Sequence, residues 1–230
     1  MTVSQALALS NAVECNQVIL ARASELEIAL WRDSAGTLHA NQNRCPHRGM
    51  RLHFGFVRDD RLNCLYHGWS YDNQGQCKYI PAHPSHTPSG VIFLQTHGVQ
   101  EAYGVIWKGS PPALPEHVAA MRSKPVRSVY LSAALTQVRA AMSSPSFAAA
   151  GEHNLQHASI DENSGYWLPT DDGRVAQNGC LYALQDAGEG KTGIHLVALT
   201  PAEAAASPAW LLALSSQLQL VQLKLEGLAS

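Results

Sequence analysis

The sequence predicts an α+β chain: a β domain of small antiparallel sheets presenting two loops, followed by a smaller α+β domain. Three observations predict it. Short alternating or apolar runs broken by turn residues fill the first hundred residues. Two loops that each hold one Cys and one His interrupt those runs. Beyond a proline-rich break the texture turns to alanine and serine, with two strand-like runs and one stripe of leucines at helical spacing.

Taken in order, Leu26, Ile28 and Leu30 alternate with Glu27, Ala29 and Trp31, the period of a half-buried strand. Asp33-Ser34-Ala35-Gly36 supplies turn residues, and Thr37 to Ala40 reads as the returning strand of a hairpin. Arg61-Leu62-Asn63 leads into the second Cys/His loop. Trp69-Ser70-Tyr71 and Cys77 to Ile80 flank Asp72-Asn73-Gln74-Gly75, a second hairpin. Val91 to Leu94 and Tyr103 to Trp107 are further strand candidates. Gly109-Ser110-Pro111-Pro112-Ala113-Leu114-Pro115 continues neither strand nor helix and is the expected boundary between domains at 1–110 and 116–230.

In the second half Val126 to Leu131 suits a strand, and Ser132 to Met142 suits either a strand or a short helix. Leu181 to Leu184 and Thr192 to Leu199 read as antiparallel strands around the glycine-rich turn 186–191. Ser207-Pro208 opens a helix, Ser as N-cap and Pro at its first position. Leu211, Leu214, Leu218, Val221 and Leu225 then form one apolar stripe suited to packing on a sheet.

Sixteen Lys and Arg against 18 Asp and Glu give a net charge of −2 and no basic footprint for nucleic acid. No apolar run reaches the 18 residues of a membrane span, and Met1 to Gln5 lacks a signal peptide's positive flank, so the expected location is the cytoplasm. Of five cysteines, Cys15, Cys77 and Cys180 lie outside the two loops. That odd remainder argues for buried free thiols rather than a disulfide framework.

The chemistry concentrates in Cys45-Pro46-His47-Arg48-Gly49 and Cys64-Leu65-Tyr66-His67-Gly68-Trp69. A C-x-H … C-x2-H pattern of this kind suits a [2Fe–2S] centre of the Rieske type, in which one iron takes two sulfurs and the other two neutral imidazoles. Structural zinc also accepts Cys2His2, but zinc fingers pair Cys with Cys and His with His, usually two to five residues apart. Here each loop carries a mixed pair. The candidate cluster ligands are therefore Cys45, His47, Cys64 and His67.

With the turn at Asp72 to Gly75 and with Ile80-Pro81, these loops resemble the N-terminal domain of Rieske non-haem iron oxygenase large subunits, of the ring-hydroxylating type. The resemblance is strong over roughly Val18 to Trp107. It implies a cluster held by Cys45 and Cys64 on one iron and by His47 and His67 on the other, with Trp69 shielding it from water. Respiratory members of the class carry an extra cysteine in each loop and a serine after the second His-Gly; here Met50, Tyr66 and Trp69 stand at those positions. That implies a potential toward the lower end of the Rieske range, roughly −150 mV rather than +300 mV. Arg48 suits equally a group behind the ligands, a subunit contact or a loop salt bridge.

The family's second domain is a helix-grip fold holding a mononuclear Fe(II) on two histidines and a carboxylate. Its Asp-x2-His-x4-His form is absent here; the corresponding stretch, from Gly151 to Asn163, offers only His153-x3-His157. On a helix His153 and His157 would share a face, but Asp161 would lie about 12 Å from the first, so Asp161, Glu162, Asp171 or Asp172 would have to reach in irregularly. His83, His86 and His195 read as loop or structural histidines. The second half is thus expected to be a reduced helix-grip-like domain.

The expected activity is a Rieske-type [2Fe–2S] oxidoreductase component that takes electrons from a reductase or ferredoxin and relays them to an oxygenase subunit. One alternative is a compact terminal oxygenase, hydroxylating or demethylating a small organic substrate at a non-haem Fe(II). Another is a redox-sensing or structural subunit. Neither nucleic acid nor membrane is expected as a partner, and a homo- or hetero-oligomer is compatible with the resemblance.

Overall fold

The computed structural model describes residues 4–144, 147, 155–169 and 178–227. In chain order the strands are β1 (Gln5–Leu9), β2 (Val18–Ala23), β3 (Leu26–Arg32), β4 (Leu38–Gln42) and β5 (Phe56–Arg58). There follow β6 (Arg61–Asn63), β7 (Ser70–Tyr71), β8 (Cys77–Tyr79), β9 (Val99–Ala102) and β10 (Val105–Lys108). Helix α1 (Glu116–Ala119), β11 (Arg122–Leu131) and α2 (Leu135–Met142) come next, then β12 (Leu155–Ser159), β13 (Ser164–Pro169), β14 (Gly179–Asp186), β15 (Thr192–Thr200) and α3 (Pro208–Leu225).

Two compact units result, one of residues 11–22 and 26–100, the other of residues 1–10, 23–25 and 101–230. They do not coincide with a division at 110 and 116. Ala6 and Leu9 of β1 and Val105 and Trp107 of β10 pack on Leu181, Ala183, Val197 and Leu199, so the N-terminal strand belongs to the second unit and makes it the larger. Apolar burial, rather than the proline run, decides which segments cohere.

The first unit is built of two small antiparallel sheets, β2-β3-β4 and β5-β6-β7-β8. Strand β3 departs from the half-buried expectation: Ile28, Ala29, Leu30 and Trp31 are all inaccessible, so both of its faces are covered. Trp31 tolerates this because its indole N–H donates to Asn41 Oδ1 at 2.8 Å. The hairpin turns behave as their residues dictate. Thr37 N–H donates to Asp33 Oδ1, and both Gln74 and Gln76 N–H donate to Asp72 Oδ1. The strand expected over Val91 to Leu94 is not formed; Phe93 makes an isolated bridge to Gln76, and Val91 is 79% exposed.

In the second unit, five antiparallel strands lie in the order β11-β15-β14-β13-β12. One face carries Val129, Leu131, Tyr182, Leu184, Ile194, Leu196 and Ala198 against α2 and α3; the other carries the β1/β10 cluster. Every residue of β15 is buried as a result. The ambiguous run to Met142 is helical. Helix α3 starts as expected, Ser207 Oγ accepting from Trp210 N–H, and its stripe buries Leu214 and Leu218 with Leu211, Val221 and Leu225 at the margin. Among the described residues no helix is long and apolar enough to cross a membrane.

Gly55 lies where the first unit is tightest. A Cβ there would fall 2.1 Å from the Asn63 carbonyl oxygen and 2.9 Å from that of Leu52. Gly55→Ala is expected to cost about 1–3 kcal/mol of stability, read as a lowered denaturant midpoint at unchanged slope.

Candidate metal centre

The two Cys/His loops fold as the same turn. In the first, Cys45 N–H donates to Met50 O at 2.9 Å and Gly49 N–H to Cys45 O at 2.9 Å. In the second, Cys64 N–H donates to Trp69 O at 2.9 Å and Gly68 N–H to Cys64 O at 3.0 Å. Gly49 and Gly68 stand four residues after their cysteines with φ of +71° and +68°, a conformation that strains any side chain. Only the histidine differs, standing two residues after Cys45 and three after Cys64.

The turns aim the sulfurs inward and the imidazoles toward solvent. Cys45 and Cys64 are each 2% exposed, within a cluster that includes Trp31, Leu52, Leu62, Tyr71, Cys77 and Ile80. His47 and His67 are half-buried, and their ring centroids lie 4.6 Å apart. Trp69 stacks on His47 at 4.3 Å and 5°. Tyr66, 59% exposed, covers His67 at 3.9 Å. The absent side chain of Gly68 leaves room for the ring of Pro81, 2.8 Å from where a Cβ would stand.

Electrostatics separate the donor pairs further. Burial pushes the Cys64 thiol up, Cys45 beside it adds to the rise, and the backbone N–H groups of Tyr66 and His67 oppose it. Burial pulls His47 down, helped by His67 and Arg48, so its imidazole is neutral at pH 7 with a lone pair to give. Tyr71 O–H lies 3.1 Å from Cys45 Sγ, and burial raises its own pKa. Two adjacent buried thiols and two adjacent imidazoles suit a soft iron–sulfur centre with one donor pair on each iron. The donor set therefore fits a [2Fe–2S] cluster.

No disulfide braces these loops: Cys15, Cys45, Cys64, Cys77 and Cys180 are all free. Cys15 is exposed, contrary to expectation, in a stretch between β1 and β2 whose residues 14–17 are all exposed. Cys77 and Cys180 are buried as expected, and burial drives the Cys180 thiol up to about 12.

The second-half candidates do not assemble in the way a helical spacing suggested. His157 lies on strand β12, not on a helix, and its Nε2 is 2.7 Å from the Tyr182 hydroxyl. Gly165 opposite has no room for a side chain, since a Cβ would stand 2.6 Å from that hydroxyl and 2.9 Å from the imidazole. Asp161 Oδ1 accepts from Asn163 N–H and Ser164 O–H in the turn between β12 and β13, and Glu162 stands 4.0 Å from Arg139. His153, Asp171 and Asp172 lie outside the described residues. Among the described residues no three His, Cys, Asp or Glu side chains converge as a mononuclear ion requires. His83 and His86 are exposed on a loop.

His195 is fully buried on β15. Its Nδ1 accepts from Ser128 O–H at 2.8 Å, and its Nε2–H donates to Gln185 Oε1 at 3.0 Å. Burial lowers its pKa to about 4.

Sequence reasoning did not single out Tyr71 or the role of the two glycines. The matched Cys-x3-Gly spacing in both loops was the available signal for the glycines.

Comparison with known proteins follows the same division. Residues 4–99 match the Rieske [2Fe-2S] domain family. Oxidoreductase NdmD of Pseudomonas putida is 44% identical over 92 residues, 39% of this chain and 16% of its own length. The 4beta-methylsterol monooxygenase of Methylococcus capsulatus is 43% identical over 83 residues, 35% of this chain and 22% of its own. Those alignments span less than a quarter of either relative. In structure, the NdmA QL mutant of Pseudomonas putida CBB5 with theobromine superposes with a TM-score of 0.77 at 14% identity, over 97% of this chain and 80% of the other. Apo dicamba monooxygenase gives 0.74 at 14% identity, over 98% and 85%. The fold of these enzymes thus covers nearly the whole chain.

A pH titration tests the burial of His195. Its folded pKa lies below the unfolded value of about 6.5, so between pH 6.5 and 4 the unfolded chain binds the extra proton. Stability is then expected to fall by about 3 kcal/mol across that window, and His195→Gln to flatten this part of the curve in denaturant unfolding.

Proposed function

We propose, for a chain that carries a Rieske [2Fe–2S] domain over residues 4–99, that it is an electron-transfer component of the ring-hydroxylating oxygenase type. It takes electrons from a reductase or ferredoxin and passes them to an oxygenase partner. Cys45 and Cys64 would hold one iron and His47 and His67 the other. When bound, the cluster accepts and releases one electron at a time.

The observation that carries this reading is the geometry of the doubled turn, which brings two buried thiols and two half-exposed imidazoles into adjacent pairs. The remaining residues have distinct tasks. The apolar surroundings of Cys45 and Cys64 keep water from the sulfurs. The Trp69 ring fixes the plane of His47. Tyr66 beside His67 faces solvent and marks the side from which an electron enters or leaves. Tyr71 places a hydroxyl on Cys45 Sγ, which favours the more negative, reduced state. It moderates the low potential that Trp69 and the absent disulfide imply.

A compact terminal oxygenase is the second reading. The observation in its favour is the fold, shared with the N-demethylase NdmA and with dicamba monooxygenase over at least 97% of this chain. In that reading His153, His157 and a carboxylate would hold a third iron.

Iron analysis of anaerobically purified protein separates the two. About two irons per chain is the expected result; about three, with one lost in His157→Ala, supports the oxygenase. Tyr71→Phe is expected to lower the midpoint potential by about 40 mV, the equivalent of one hydrogen bond of about 1 kcal/mol in a one-electron couple. Protein-film voltammetry measures it directly.

A further inference from the structure

We propose that Glu27 positions the first cluster loop, acting as an ionic brace that joins both of its ends to strand β3; the inference rests on Cys45 and His47 being cluster ligands. Glu27 is only 16% exposed in its side chain. Its carboxylate accepts from Arg51 Nε at 2.9 and 3.3 Å, from Arg22 at 3.2 Å and from Asn43 Nδ2 at 3.1 Å. Asn43 precedes the loop and Arg51 follows it, so one carboxylate grips both sides.

Backbone contacts turn that grip into positional control. Asn43 N–H donates to Glu27 O at 3.3 Å, and Leu52 N–H donates to Asn43 O at 2.8 Å. Asn43 Oδ1 accepts from His53 N–H at 2.9 Å. Arg44 and Arg51 form an isolated bridge, immediately outside the Cys45–Met50 hydrogen bond that closes the turn. Cys45 and His47 are therefore separated from the Glu27 anchor by one bridge and one turn. A shift of Arg51 moves both donors together.

The second loop is held differently. Its ends run into β6 and β7, which pair Asn63 with Ser70 and Leu62 with Tyr71 in a regular ladder. The first loop has one isolated bridge where the second has a ladder, and the half-buried carboxylate makes up the difference. A surface ion pair contributes little, but Glu27 is partly desolvated and shared among three donors, and removing it takes away the carboxylate that Arg51 and Arg22 share. The hydrogen bond from Arg51 holds the Glu27 carboxyl below the usual range against the opposing effect of burial.

Purified wild-type protein, Glu27→Gln and Arg51→Gln are to be compared with Lys78→Met, which removes an ion pair of similar length to Asp72 at another site. Arg51 is 42% exposed, so its variant folds even where Glu27→Gln does not. Two readouts apply: amide hydrogen exchange in peptides covering 45–49 and 64–68, and the rate of iron loss to EDTA. Glu27→Gln and Arg51→Gln are expected to speed exchange in the first loop about tenfold, leave the second unchanged, speed iron loss by a similar factor and shift the g-values of the reduced signal. Lys78→Met is expected to change none of these. Equal acceleration in both loops, or no change in the first, overturns the proposal. A wild-type protein that holds no iron overturns the cluster reading instead, and exchange in the first loop still decides whether Glu27 braces it.

Discussion

The constraint on which the first unit depends is the burial of two thiols side by side. Cys45 and Cys64 are each 2% exposed and adjacent, in a pocket whose burial pushes the Cys64 thiol up. As thiols they are weak polar groups with little to hold them together. As thiolates without a counter-charge they would be expelled. A doubly cationic metal centre resolves the conflict, because it supplies positive charge at the sulfurs and replaces lost hydration with covalent bonds. The rest of the unit serves that arrangement: the paired turns aim the donors, the glycines permit the turns, and the aromatic rings limit the motion of the imidazoles.

The second unit obeys a simpler rule. A sheet with both faces covered needs continuous apolar strands, and β14 and β15 provide them. Helices α2 and α3 close one face; β1, β10 and α1 close the other. Of the polar groups in this core, His195 is paired with Ser128 and Gln185, and His157 with Tyr182, while the Trp210 indole nitrogen is buried without a hydrogen-bond partner among the described residues. The fold is shared with oxygenases whose sequences match this chain at only 14%, which shows how little of such a sheet depends on particular residues.

Much of the first unit was legible because its signals are local. Hairpin turns announce themselves in Asp33 to Gly36 and Asp72 to Gly75, and the mixed Cys/His loops admit few chemistries. The N-cap and proline of α3 and its leucine stripe were equally readable. What escaped depends on distance in sequence. Strand β1 gains its place in the other unit from segments far along the chain. Tyr71 reaches Cys45 across 26 positions and Arg51 reaches Glu27 across 24. For His157 the helical reading failed for a related reason. Pairing with β13 extends residues 155–159 into a strand, and tertiary context overrides the local period.

The central claim is that two imidazoles, one from each loop, ligate one iron of a [2Fe–2S] cluster. Electron spin-echo spectroscopy of the reduced protein, labelled with nitrogen-15 histidine, tests it most directly. The account predicts two distinct histidine nitrogen couplings, with one removed in His47→Cys and the other in His67→Cys. A reduced signal without histidine couplings, or with both intact in either variant, would contradict it.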